Sequence, residues 1–321
     1  MTKNKEGSVP ANGSVKPKKK KDTLLANTRK HLPFVIFALP AFLILFFIMY
    51  VPMGGIVMAF QDFKPMKGFF ESEFVGLDNF KFLFASKSTF FRMTRNTLIY
   101  YFIFTAVGTF LNIVLAIALD QFVFKKAGRL MQTMMIVPIF ISFAAVQFIV
   151  YAFIASDNGL INKLLGTSIS FYSEPKYWYV ILTIVKIWNS VGYGSVLYMS
   201  VLAGIDTALY EAARIDGANK WQQIVHITIP SLVPMITVML LLSVGNIMRS
   251  DTGLFFQVTR DSGALFDATQ VIDSYVLRAI LSTPEYGFTA AASLFQSVVG
   301  LVMMLLANGA VRKISPENSL F

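Results

Sequence analysis

Six stretches of the chain carry almost no charge. Residues 32–61, 97–119, 130–156, 227–248 and 286–311 contain no Asp, Glu, Lys or Arg, and residues 177–205 contain one, Lys186. Each is at least about 20 residues, enough to cross roughly 30 Å of hydrocarbon at about 1.5 Å per helical residue. The runs are rich in Phe, Ile, Val and Leu and show no short-period alternation, which predicts helices rather than the strands of a membrane barrel. The pattern predicts an all-α integral membrane protein with six transmembrane helices. A tail occupies residues 1–31, the first transmembrane helix 32–61 and a loop 62–96. A five-helix core follows over 97–311, and a short tail over 312–321. The first run follows a long polar segment, is too long for the apolar part of a signal peptide and lacks a small-residue cleavage site. It is expected to anchor the chain.

Composition agrees. The chain is 55% hydrophobic and only 14% charged, against about 25% charged in soluble domains. With no Cys and two His, disulfides, thiolate zinc sites, a cysteine nucleophile and a histidine metal cluster are excluded. The net charge of +10 would suit nucleic acid, but it is concentrated in the first tail. Residues 1–31 hold nine Lys/Arg against Glu6 and Asp22. That distribution fits a topology signal and contact with membrane lipids, and no nucleic-acid partner is expected. The loops on the tail's side add seven basic residues, including Lys125, Lys126, Arg129, Arg214 and Lys220, against eleven on the other side. The tail decides the balance and places both termini in the cytoplasm.

The most informative loop lies between the fourth and fifth runs, residues 206–230. Asp206 suits an N-cap, Thr207 to Asp216 a short helix, and Gly217 the left-handed residue that ends it. A second short helix is expected near Asn219, with Pro230 at the start of the fifth span. Ala212, Ala213 and Ala218 leave a narrow ridge able to enter a groove. The segment Glu211-Ala212-Ala213, three residues, Gly217, nine residues, Ile227-Thr228-Ile229-Pro230 resembles the EAA loop of permeases in ATP-binding-cassette importers. Ile229 stands where Leu is usual, and Asp216-Gly217-Ala218 is the form of carbohydrate permeases. Weaker likenesses to maltose-type and polysaccharide permeases are Gly76-Leu77-Asp78-Asn79-Phe80, Asp273-Ser274-Tyr275-Val276-Leu277-Arg278, and the ending from Arg312-Lys313 to Leu320-Phe321.

The resemblance implies a type I importer permease fold in which this loop forms cytoplasmic coupling helices. Glu211, Ala212, Ala213, Asp216, Gly217 and Ala218 would dock into a separate ATPase. It implies four kinds of partner: a second homologous permease, two ATPase subunits, an extracytoplasmic solute-binding protein and an oligosaccharide. No G-x-x-x-x-G-K-[ST] occurs, so no P-loop is available. ATP and magnesium are expected on the ATPase, with no cofactor of the chain's own, and the chain is expected not to be an enzyme.

Lys186, Asn189, Ser190 and Tyr193 share one face of the fourth run by their spacing. A lysine at depth facing lipid is unfavourable, so this face should line water or protein. The resemblance puts the sugar site on the same face, where Lys186 replaces a neutral amide. Either the sugar carries a carboxylate, or Lys186 pairs within the protein, with Asp251 as a candidate. Ser243 and Asn246 of the fifth run, with Ser250 and neighbouring Arg249, are further substrate-binding candidates. The stripes Thr105, Thr109, Asn112 and Thr289, Ser293, Gln296 fit helix packing better. A permease for another solute is the alternative. A membrane-embedded glycan- or lipid-modifying enzyme would need converging carboxylates or His, which the six runs lack, and a secondary transporter would need a repeat and a coupling carboxylate.

Overall fold

The structure is a computed structural model that describes residues 24–81, 87–121, 125–282 and 284–320. Residues 1–23 of the basic tail lie outside the described residues. Five described helices are long and apolar enough to cross a membrane, and the number is six when one bent pair is counted as a single span. The first span forms a unit of its own up to Gly54, with helix Leu24–Leu45 continued by a π-helical segment Phe46–Tyr50. Its side chains are bare, Phe37 to 89%, as suits a helix whose solvent is lipid.

The second unit contains the other spans. The second span, Lys87–Asp120, begins well ahead of its uncharged run. Its charged first turns dock onto a neighbouring turn. Arg92 pairs with Asp267 at 3.0 Å, and buried Asn96 donates to the carbonyls of Asp267 and Gln270 at 3.0 and 3.1 Å. Charge there marks a helix leaving the membrane, not a loop. This span makes its most extensive pairing with the fourth, Trp178–Leu202. Tyr100, Trp178, Leu182, Leu254 and Phe255 form the core between them and the segment Gly253–Val258.

The third and fifth spans also differ from expectation. The third is not one helix: Lys125–Ile136 and Phe143–Ile154 meet at a 3₁₀ turn, Val137–Phe140, and the arms are bent by 102°. Pro138 and extended backbone at Ile141 and Ser142 interrupt the ladder. The Pro138 carbonyl accepts the Ile141 N–H at 3.1 Å and Asn189 Nδ2 at 2.8 Å, which meets the rule that backbone at membrane depth must be satisfied by protein. The fourth span crosses the third closely at Gly192, where a Cβ would lie 1.8 Å from the Met135 oxygen.

The fifth span starts before Pro230. Helix Lys220–Gln223 continues through a π turn, Ile224–Thr228, into Ile229–Val244. Pro230 therefore lies inside a continuous helical run, and the wider turn directly precedes the residue that lacks an N–H. The helix stops at Val244, short of residue 248. The sixth span is Tyr286–Ile314, and the chain after it folds back so that Leu320 N–H donates to buried Asn308 at 2.8 Å. The Gly76–Phe80 motif has a structural role. Asn79 Nδ2 reaches the Ala59 and Gln61 carbonyls at 3.1 and 2.9 Å, with Gly76 at φ +60°.

Candidate functional site

The 206–230 loop is a rigid pair of helices. Asp206 accepts the Ala208 N–H at 2.9 Å and caps helix Thr207–Ile215. Gly217 closes the helix at φ +79°, as Ala218 N–H returns to the Ala213 carbonyl at 2.8 Å. Asn219 and Gln222 then form a reciprocal capping box. Two bonds brace the loop internally, Tyr210 to Thr228 at 2.9 Å and Gln223 to the Ala218 carbonyl at 3.0 Å, and a third ties it to its surroundings, Lys220 to Gln121 at 3.0 Å.

Glu211, Ala212, Asp216 and Gly217 are exposed, and Ala213 and Ala218 are half-buried. Ala213, Asp216, Gly217 and Ala218 border a groove of about 320 Å³ that Gln222 and His226 close from the other helix. The sequence reading missed Ile215 and Trp221, exposed to 86% and 70%. Both are large apolar side chains left bare on a polar loop, and their apolar character within the motif was the available signal.

A second site lies among the second, fourth and fifth spans. Lys186, Ser243, Asn246, Arg249 and Asp251 line a cavity of about 290 Å³ together with Tyr100, Tyr101 and Phe104. Tyr101 OH and Ser243 Oγ are 2.9 Å apart, and the buried Tyr100 hydroxyl has no hydrogen-bond partner among the described residues. Lys186 Nζ is 3.0 Å from Asp251 Oδ2, with each side chain about one-third exposed or less. Of the two alternatives for Lys186, pairing within the protein is the one seen. Arg249 is exposed, donates to Ser297 Oγ at 3.1 Å, and has no carboxylate within 4.0 Å among the described residues. The cavity's net positive charge therefore resides on Arg249.

The four-residue stripe on the fourth span divides. Lys186 enters the cavity, but Asn189 is spent on the Pro138 carbonyl, and Ser190 returns its hydroxyl to the Lys186 carbonyl at 2.8 Å. Tyr193 is 54% exposed and stands outside the lining. Ser243, Asn246 and Ser250 do line one cavity, though only Ser243 is on the helix. Thr105, expected to pack between helices, also reaches the lining.

A bundle of apolar spans with a polar cavity among them and a capped, solvent-facing helix pair at one end is the architecture of a solute permease. The chain belongs to the family of inner membrane components of binding-protein-dependent transport systems, whose sequence profile matches residues 108–316. It is similar to the polygalacturonan/rhamnogalacturonan transport system permease protein YteP of Bacillus subtilis, with 30% identity over 97% of this chain and 98% of that one. Protein LplB of the same organism is 32% identical over 87% of this chain and 88% of its own length. Among solved structures, a bacterial ABC transporter involved in the import of the acidic polysaccharide alginate superposes with a TM-score of 0.80. That match has 29% identity and covers 91% of this chain and 99% of that one. The alginate transporter in complex with its alginate pentasaccharide-bound periplasmic protein gives a TM-score of 0.79, again at 29% identity, over 91% and 98%.

Proposed function

We propose that this chain is one permease subunit of an ATP-driven importer that carries an acidic oligosaccharide across the plasma membrane. The observation that carries the substrate class is Arg249, a cation at a polar cavity whose other charges, Lys186 and Asp251, neutralise each other. A guanidinium offers a planar fork that matches a sugar carboxylate. Hydroxyl and amide groups from Tyr101, Ser243 and Asn246 suit sugar hydroxyls, and the ring of Phe104 supplies an apolar face. Similarity to permeases named for polygalacturonan and alginate supports the reading.

The partners follow from the loop. Glu211, Ala212, Ala213, Asp216, Gly217 and Ala218, with Ile215 and Trp221, form the surface that meets a separate ATPase dimer in the cytoplasm. ATP and magnesium are held there. A second, homologous permease completes the translocation path, and an extracytoplasmic binding protein delivers the sugar. Both termini lie on the ATPase side.

Equilibrium binding of trigalacturonate to the purified complex, compared with its fully methyl-esterified form, tests the substrate class. The esterified sugar should bind wild type more weakly, and Arg249→Gln should abolish the difference. Equal binding of both sugars by wild type would overturn it.

A further inference from the structure

The charges of the cavity sit on a turn that the fifth span does not hold by itself. Beyond Val244 the chain leaves the helix, and residues 245–251 present Asn246, Arg249 and Asp251. Two side chains from elsewhere fasten this turn. Gln296 of the sixth span, 5% exposed, donates from Nε2 to the Met248 carbonyl at 2.7 Å and to Asp273 Oδ2 at 3.2 Å. Asp273, on helix Ile272–Ser282, accepts the Ser250 N–H at 2.6 Å through the same oxygen.

Met248 and Ser250 flank Arg249, so both peptide neighbours of the cation are held. The sixth span touches the turn twice more. Ser297 accepts from Arg249, and a Cβ on Gly300 would lie 2.2 Å from the Gly245 oxygen. Burial pushes the Asp273 carboxyl above its usual range, against the Ser250 N–H, the Gln296 amide and the Arg249 charge. A carboxylate withdrawn from water is unfavourable unless hydrogen-bonded, and here its partners are the turn and the residue that braces it. Neither Asp273 nor Gln296 lines the cavity.

We propose that Gln296 and Asp273 are positioning residues that lock the backbone of residues 248–251 and so determine where Arg249 and Asp251 meet the transported solute. The proposal rests on the cavity being the solute site. It also ties the cavity's charge pattern to the sixth span, because a displacement of that span against the fifth moves the brace of Arg249.

The Cys-free chain makes the lock measurable without substrate. Arg249→Cys, spin-labelled in the complete importer complex, reports the mobility of the turn. Gln296→Met, of similar length but without a donor, and Asp273→Ala should both raise that mobility. Asp273→Asn should stay near the reference, because its Oδ1 still accepts the Ser250 N–H. With Arg249 restored, Gln296→Met should weaken trigalacturonate binding about tenfold, or about 1.4 kcal/mol, and leave the methyl-esterified sugar unchanged. Co-purification with the ATPase is the assembly control, and Gln296→Asn, too short to reach both acceptors, replaces the Met variant if assembly fails. Unchanged label mobility in the Gln296 variant and in Asp273→Ala would overturn the lock. Raised mobility with unaltered discrimination between the sugars would overturn the positioning of Arg249 by the brace, whereas equal binding of both sugars by wild type would contradict the acidic-substrate reading and leave the lock of the turn standing.

Discussion

At the scale of single residues, two positions separate backbone from charge. Gly217 has φ +79°, and a Cβ there would meet nothing within 4 Å. The first side-chain atom of Gly217→Val therefore meets no neighbour, and the variant acts through the left-handed conformation, worth roughly 1–2 kcal/mol to an L-residue. The variant should insert normally, fail to co-purify with the ATPase and lose uptake; retained association would remove Gly217 from docking. Lys186 behaves differently. Its carboxylate partner is Asp251 at 3.0 Å, so Lys186→Met leaves an unpaired carboxylate among the spans. The single variant should lower the melting temperature of the purified complex more than Lys186→Met combined with Asp251→Asn. Additive losses would show that the pair is not coupled. The pairing was only partly legible in the sequence: the fourth run announced a lysine that needed company, but its partner lies 65 positions away, and only folding decides which carboxylate arrives.

At the scale of elements, helix extents depended on tertiary contacts that hydropathy does not record. Uncharged runs located every span because lipid excludes charge. They misplaced the start of the second span because Arg92 and Asn96 are helical and bound to the 267–270 turn. They hid the break in the third because Pro138 lies within an unbroken apolar run, where it was the one available sign. Gly217 and the Asp206 cap were legible because each is set by neighbours in sequence. The break makes its own prediction. Asn189→Leu removes one of the two donors to the Pro138 carbonyl, which keeps the Ile141 N–H at 3.1 Å, a loss of about 1 kcal/mol, at a site only 6% exposed. A lower melting temperature with retained sugar selectivity is expected. Lost discrimination between trigalacturonate and its ester, without loss of stability, would return Asn189 to the substrate site.

At the scale of the whole molecule, the cavity and the loop are separate parts joined by the fifth span. That span runs from the capping box at Asn219 to Ser243 at the cavity, so a rigid movement of the loop would be carried by helix to the cavity. The further link of Lys220 to Gln121 ties the loop to the end of the second span, which also lines the cavity. Hinging between loop and span would defeat coupling, and the three bonds that fasten the pair oppose it. In the proposed importer this chain supplies a path for an acidic sugar but neither the energy nor the capture. Uptake of labelled trigalacturonate into proteoliposomes tests that most directly. This chain is reconstituted alone, and then with its partner permease, the ATPase and the binding protein. ATP-dependent accumulation only with the full set, reduced by Arg249→Gln, is the predicted result. ATP-dependent accumulation by this chain alone, or accumulation by the full set that ignores Arg249→Gln, would contradict it.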